Sequence, residues 1–84
     1  TLKNQSFVAC KLSEVDFAES DLTGATFRDS DLDRTIFDGT NLQKADFTKA
    51  LNFAIDPEKN KLKNAKFSKE ALEGLLGKYN LVVI

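Results

Sequence analysis

Four carboxylates crowd into ten residues of this chain: Asp29, Asp31, Asp33 and Asp38. Carboxylates at this density could share a proton for general acid/base work or gather around a hard cation. Little else in the sequence supports either chemistry. There is no His, the one Cys is Cys10, and neither a glycine-rich phosphate loop nor a metal-ligand spacing occurs. Cys10 is better accounted for as a small inward residue than as a nucleophile. Aspartate also has a plainer use, because its side chain hydrogen-bonds the local backbone of turns and solvates an exterior. The expectation is therefore a protein that is not an enzyme and holds no metal and no cofactor. What remains is to find the element that carries the carboxylates.

That element has a period of five. Large apolar residues stand at Leu2, Phe7, Leu12, Phe17, Leu22, Phe27, Leu32, Phe37, Leu42 and Phe47. Two places before each centre the residue is mostly small, as in Cys10, Val15, Ser20, Ala25, Ser30, Thr35, Thr40 and Ala45; directly before it stands an Asp or Asn at Asp16, Asp21, Asp31, Asn41 and Asp46. A period of five keeps neither one helix face nor one strand face buried, so the chain must turn regularly. Short strands joined by tight turns into a coil satisfy it. Seven Phe against one Tyr and no Trp or Met reserve the aromatic for this repeated position. Repetition also suits 84 residues, a length at which an ordinary single core is marginal.

These units, most clearly Ser20-Asp21-Leu22, Ala25 to Phe27 and Ala45-Asp46-Phe47, resemble the pentapeptide-repeat family. The resemblance implies an all-β fold, a right-handed quadrilateral β-solenoid with one pentapeptide per side and four per coil. The central and the small residue then both point inward. A twenty-residue coil stacks Phe7 on Phe27, Phe47 and Phe67, Phe17 on Phe37, Leu2 on Leu22, Leu42 and Leu62, and Leu12 on Leu32. The structural core is expected from Leu12, Phe17, Leu22, Phe27, Leu32, Phe37, Leu42 and Phe47.

The pattern slips at Asn52, where the large residue arrives one place late as Phe53, and Asp56-Pro57 is a turn signal. Residues 54–60 are expected to leave the solenoid wall, with register regained at Leu62 and Phe67. From Ser68, a suitable N-cap, the spacing becomes helical: Leu72, Leu75, Leu76 and Tyr79 share one apolar face. Leu81-Val82-Val83-Ile84 is a β-type run that needs covering. The expected organisation is a repeat solenoid over 1–67, with an irregular edge at 52–60, followed by a C-terminal α-helix and short terminal strand over 68–84 as cap and dimerisation element. An apolar end of this kind predicts a homodimer about a two-fold axis through Leu72, Leu75, Leu76, Tyr79, Leu81 and Val83. A purely intramolecular cap is the alternative. Asn52-Phe53, Ile55-Asp56-Pro57, Asn60, Leu62-Lys63, Ala65, Phe67-Ser68 and Gly74-Leu75-Leu76 also resemble the endings of the quinolone-resistance, Qnr- and MfpA-like, subgroup, in which such a helix and strand form the dimer interface.

Residues 1–50 hold nine acids and six bases, residues 51–84 four acids and six bases, so the body is acidic and the far end basic within a net charge of −1. An acidic rod can occupy a basic DNA-binding groove with carboxylates in place of phosphates. DNA mimicry of this kind is what the subgroup resemblance implies, with DNA gyrase or topoisomerase IV as target and fluoroquinolone resistance as outcome. Asp21, Asp29, Asp31, Asp33 and Asp38 are the candidate partner-binding surface. The rival expectation is a C-terminal dimerisation and capping module of a longer repeat protein, since Thr1-Leu2 opens in mid-repeat. Direct nucleic-acid contact is not expected, because the aromatics face inward and the lysines cluster near the cap, and membrane contact is not expected because no apolar run of about 20 residues occurs. One unpaired Cys and the absence of a signal-like run point to a cytoplasmic protein; a bacterial source is what the subgroup resemblance implies.

Overall fold

In the computed structural model, which describes residues 2–69 and Leu75, the regular pentapeptides close on turns. The carbonyl of a central residue accepts the N–H three residues on, as in Leu22 from Ala25 at 2.9 Å, Phe27 from Ser30 at 3.2 Å and Leu32 from Thr35 at 3.1 Å. The residue two places past the centre has positive φ, as the third residue of a type II turn must. Glycine fills that place only at Gly24 and Gly39; Ala9, Glu14, Glu19, Asp29, Arg34, Lys44 and Lys49 adopt it with φ of 54 to 65°. Such backbone costs an L-residue about 1–2 kcal/mol, so the stack above and below must hold it.

The preference for Asp or Asn before each centre has the same origin. Asp16 Oδ1 accepts the Ala18 N–H at 2.8 Å, Asp31 that of Asp33 at 3.1 Å, Asn41 that of Gln43 at 3.1 Å and Asp46 that of Thr48 at 2.9 Å. Each side chain caps the turn that follows it.

Four turns make one coil of twenty residues. Ser6 pairs in parallel with Thr26, Lys11 with Asp31, Asp16 with Ile36 and Asp21 with Asn41. The register continues in two short strands, β1 (Asp46–Phe47) and β2 (Lys66–Phe67), which pair Asp46 with Lys66 and Phe47 with Phe67. The first side of this β-solenoid is thus built by 2–5, 21–25, 41–45 and 61–65, and the second by 6–10, 26–30, 46–50 and 66–69. The third is built by 11–15, 31–35 and 51–55, and the fourth by 16–20, 36–40 and 56–60.

The interior is a packed column. Phe27 lies face to face between Phe7, with centroids 5.1 Å apart, and Phe47, 4.9 Å away; Phe47 stacks in turn on Phe67 at 5.0 Å. Phe17 and Phe37 form the opposite stack at 5.6 Å, and the two stacks meet edge to face, Phe27 against Phe37 at 89°. These spacings match the separation of hydrogen-bonded strands, so the backbone ladder sets the ring stack. Of the expected core, Phe17 to Phe47 are buried, while Leu12, in the first coil, is half-buried and packs against them. Small polar residues form rungs between coils. Thr35 Oγ1 donates to the Leu12 carbonyl at 2.8 Å, Thr40 Oγ1 to that of Phe17 at 2.9 Å, and Ser30 Oγ to that of Phe7.

Residues 51–60 depart from the repeat without leaving it altogether. Leu51 keeps register with Asp31, but Gly39 N–H reaches the Lys59 carbonyl, one residue late. Phe53 is buried with its ring tilted between Phe47 and Phe67, 6.1 and 5.4 Å away. Contrary to the expectation that 54–60 leaves the wall, Ile55 and Asn60 are also buried. Ile55 supplies an apolar side chain that the turn at Asp56 to Lys59 does not. Asn60 accepts the Thr40 N–H at 2.9 Å and donates to the carbonyls of Phe37 at 2.9 Å and Asp56 at 3.0 Å. Regular pairing resumes between Asn41 and Lys61. Leu75 is half-buried against the core; the other expected helix, strand and dimer residues, Leu72, Leu76, Tyr79, Leu81 and Val83, lie outside the described residues.

Candidate functional site

The twenty-residue coil sorts charge across the rod. Because each side is five residues wide, the third and fourth sides carry 11–20, 31–40 and 51–60. These hold Glu14, Asp16, Glu19, Asp31, Asp33, Asp38, Asp56 and Glu58 against Lys11, Arg34 and Lys59, a net charge of −5. The first and second sides hold Lys3, Arg28, Lys44, Lys49, Lys61, Lys63, Lys66 and Lys69 against Asp21, Asp29 and Asp46, a net of +5 over residues 2–69. One half of the surface is acidic and the other half basic.

This arrangement divides the five candidate carboxylates. Asp31, Asp33 and Asp38 lie on the acidic half. Asp21 and Asp29 lie on the basic half, and Asp21 sits on the side opposite Asp31. Two of the five are committed to the backbone. Asp21 Oδ1 accepts from Thr23 Oγ1 at 2.7 Å and Thr23 N–H at 3.2 Å, and its other oxygen lies 3.7 Å from Lys3 Nζ. Asp31 Oδ1 takes the Asp33 N–H and, at 3.2 Å, Asn52 Nδ2. Asp33 lies 4.0 Å from Arg34, whose guanidinium turns mainly to Glu14 at 3.0 Å. Asp29 and Asp38 are exposed, and neither side chain is in an ion pair among the described residues. Five acids not singled out by sequence reasoning complete the acidic half, Glu14, Asp16 and Glu19 in the coil above and Asp56 and Glu58 in the coil below: the N–H groups of Glu14 and Glu19 bond the carbonyls of Asp33 and Asp38. Numbering the acids modulo twenty finds them.

Two carboxylates have shifted acidities. The hydroxyl and N–H of Thr23, then the charge of Lys3, hold Asp21 below the ordinary aspartate range. For Asp46, burial acts upward and is outweighed by the Thr48 hydrogen bonds and the charges of Arg28 and Lys66, leaving it lowered as well. Both are anions fixed by the repeat geometry, not groups poised to exchange protons near neutrality. Among the described residues no three His, Cys, Asp or Glu side chains gather as a metal would require. No helix there is long and apolar enough to cross a membrane. What the surface offers is two opposed fields of fixed charge on a stiff support.

The family model of pentapeptide repeats matches residues 10–50 in eight copies. Among solved structures, the chain is similar to two trypsin-treated variants of QnrB1, described as a plasmid-mediated fluoroquinolone resistance protein. One is 16% identical, with 88% of this chain and 42% of that chain covered and a TM-score of 0.42. The other is 15% identical, with 92% and 47% covered and a TM-score of 0.44. The chain thus spans less than half the length of those structures. No curated protein sequence matches it.

Proposed function

Residues 10–50 place the chain among the pentapeptide-repeat proteins, and from that premise we propose that it is a non-enzymatic binding protein that presents its acidic half to a basic DNA-binding groove. In this reading the right-handed coil substitutes for duplex DNA on a type II topoisomerase, DNA gyrase or topoisomerase IV, and so bears on fluoroquinolone action. In the same reading two copies join through the C-terminal residues Leu72, Leu75, Leu76, Tyr79, Leu81 and Val83, which, Leu75 apart, lie outside the described residues. The observation that carries the reading is the collection of eight acids on two adjoining sides, with Asp38 exposed and free of an ion pair among the described residues. Carboxylates borne on a hydrogen-bonded backbone ladder, among them Asp16 and Asp31 with their Oδ1 atoms on turn N–H groups, need little reorganisation to meet cations.

The test is a gyrase supercoiling assay with and without a fluoroquinolone. Micromolar protein is expected to slow supercoiling or to relieve the drug, and D33K/D38K to lose the effect. Wild-type protein without effect would sink the reading. Sedimentation at micromolar concentration checks the dimer, and a monomer removes it.

Charge density favours a second reading. Three coils rise about 15 Å at the strand spacing, over which duplex DNA carries roughly nine phosphates, against the −5 of the acidic half. The chain would then be a C-terminal coil-and-dimerisation module whose activity needs further repeats. Restoring the full reading frame distinguishes the two, since activity would then appear only with the longer protein.

A further inference from the structure

The basic half has no role in the function proposed above. Six exposed lysines occupy its last two coils: Lys44 on the first side and Lys49 on the second, then Lys61, Lys63, Lys66 and Lys69 in the coil below. The coil geometry brings them together from 26 residues of sequence. Lys44 N–H bonds the Lys63 carbonyl at 3.0 Å, Lys66 pairs with Asp46 in the strand ladder, and Lys49 and Lys69 stand one full coil apart on the same corner. None of the six is in an ion pair among the described residues. The one acid among them, Asp46, is engaged with Thr48.

We infer that this face is a docking surface for the phosphate backbone of double-stranded nucleic acid. A lysine is a mobile point charge suited to phosphate contact without base reading. Single strands are bound by stacking bases on exposed aromatic rings, and the phenylalanines of the described residues are buried or half-buried, the exposed large apolar side chains being Val8, Ile36 and Leu51. The face therefore grips a duplex from outside, with no sequence preference. This revises the sequence-based expectation of no nucleic-acid contact, which weighed basic and aromatic residues together along the chain; the acidic sides, turned away from the lysines, do not oppose the approach. The inference does not depend on a topoisomerase partner.

Fluorescence anisotropy of the whole protein with a labelled 20-base-pair duplex of arbitrary sequence tests it. Engaging about six phosphates gives a log–log salt slope near −5, so the affinity should fall roughly 1,000-fold from 50 to 200 mM salt. K63E/K66E should abolish binding at 50 mM salt, whereas K11E/K59E, on the acidic half, should leave it within about twofold. Circular dichroism of both variants checks folding, and if K63E/K66E does not fold the salt slope of the unaltered protein decides alone. Salt-independent binding, no duplex binding at 50 mM salt, or equal loss in both variants overturns the proposal. Equal affinity for polyglutamate would overturn it in favour of an acidic protein. Self-association at 50 mM salt that K63E/K66E dissolves would assign the face to the acidic half of a second copy.

Discussion

The coil formed by residues 21–40 and the one formed by residues 41–60 use the same length of chain and are held by different means. In the first, four sides repeat one solution: an inward Leu or Phe, a residue of positive φ and a small residue at the corner. In the second, two sides abandon that solution. Phe53 fills the interior one place late, Ile55 brings an apolar side chain to the place that Thr35 holds one coil above, and Asn60 satisfies Thr40 and Phe37 in that coil. The difference shows that the solenoid does not require the pentapeptide as such. It requires an interior filled at every level and a partner for each backbone group facing the next coil, and the repeat is the cheapest way to supply both.

The sharpest way to break the comparison is at the rings. Phe27→Ala removes a side chain stacked on both faces and should cost about 3–5 kcal/mol, measured by chemical denaturation. Phe53→Ala should cost no more than the low end of that range, because its ring is tilted and belongs to no stack. A larger loss at Phe53 would make the irregular coil the better packed one. Next comes Asn60→Ala, which strands a buried N–H and a buried carbonyl, for an expected loss of about 2–3 kcal/mol. Ser30→Ala removes the acceptor of the Cys10 N–H and the donor to the Phe7 carbonyl, both at the half-buried first coil, and should cost about 1–2 kcal/mol.

Smaller effects sharpen the backbone side of the argument. Ala→Gly ordinarily destabilises, yet Ala9→Gly relieves positive φ at an exposed site and should raise stability by up to about 1 kcal/mol. The converse change, Gly24→Ala, should be unfavourable, since a Cβ there would lie 2.2 Å from Asn4 Oδ1 and the φ is +72°. The smallest expected effect concerns acid. Asp46 has a lowered pKa in the fold, so the unfolded chain binds more protons near its ordinary value of about 4. Its contribution is complete above that value and disappears as pH falls through the lower folded value. Asp46→Asn should flatten this part of the melting temperature against pH while leaving its neutral arm parallel to wild type.

Much of the fold was legible because it is written at one spacing. Leu and Phe at every fifth place, mostly small residues two before, and Asp or Asn directly before half of the centres correspond to the interior, the corner and the turn cap. Ile55 and Asn60 were missed for a physical reason: once the period fails, an isoleucine and an asparagine around Asp56-Pro57 look like an exposed turn, and burial of the asparagine depends on the Thr40 N–H and the Phe37 carbonyl, twenty and twenty-three residues earlier. The candidate surface was read along the chain, as an acidic body and a basic end. Its larger asymmetry runs across the rod, and Asp21 and Asp29 fall on the wrong half because neighbours in sequence lie on successive sides. Only the coil length, applied to charges as well as to phenylalanines, makes that visible.

The parallel register also governs how the chain reaches this structure. Every bridge among the described residues joins positions twenty apart, so the pairing that holds the fold is non-local, the kind that folds slowly. No bridge can form until a whole circuit has been laid down, and the first circuit has nothing to rest on. The rate-limiting event is then the docking of two coils. Afterwards growth proceeds one circuit at a time, each new ring of phenylalanine guided onto the ring before it.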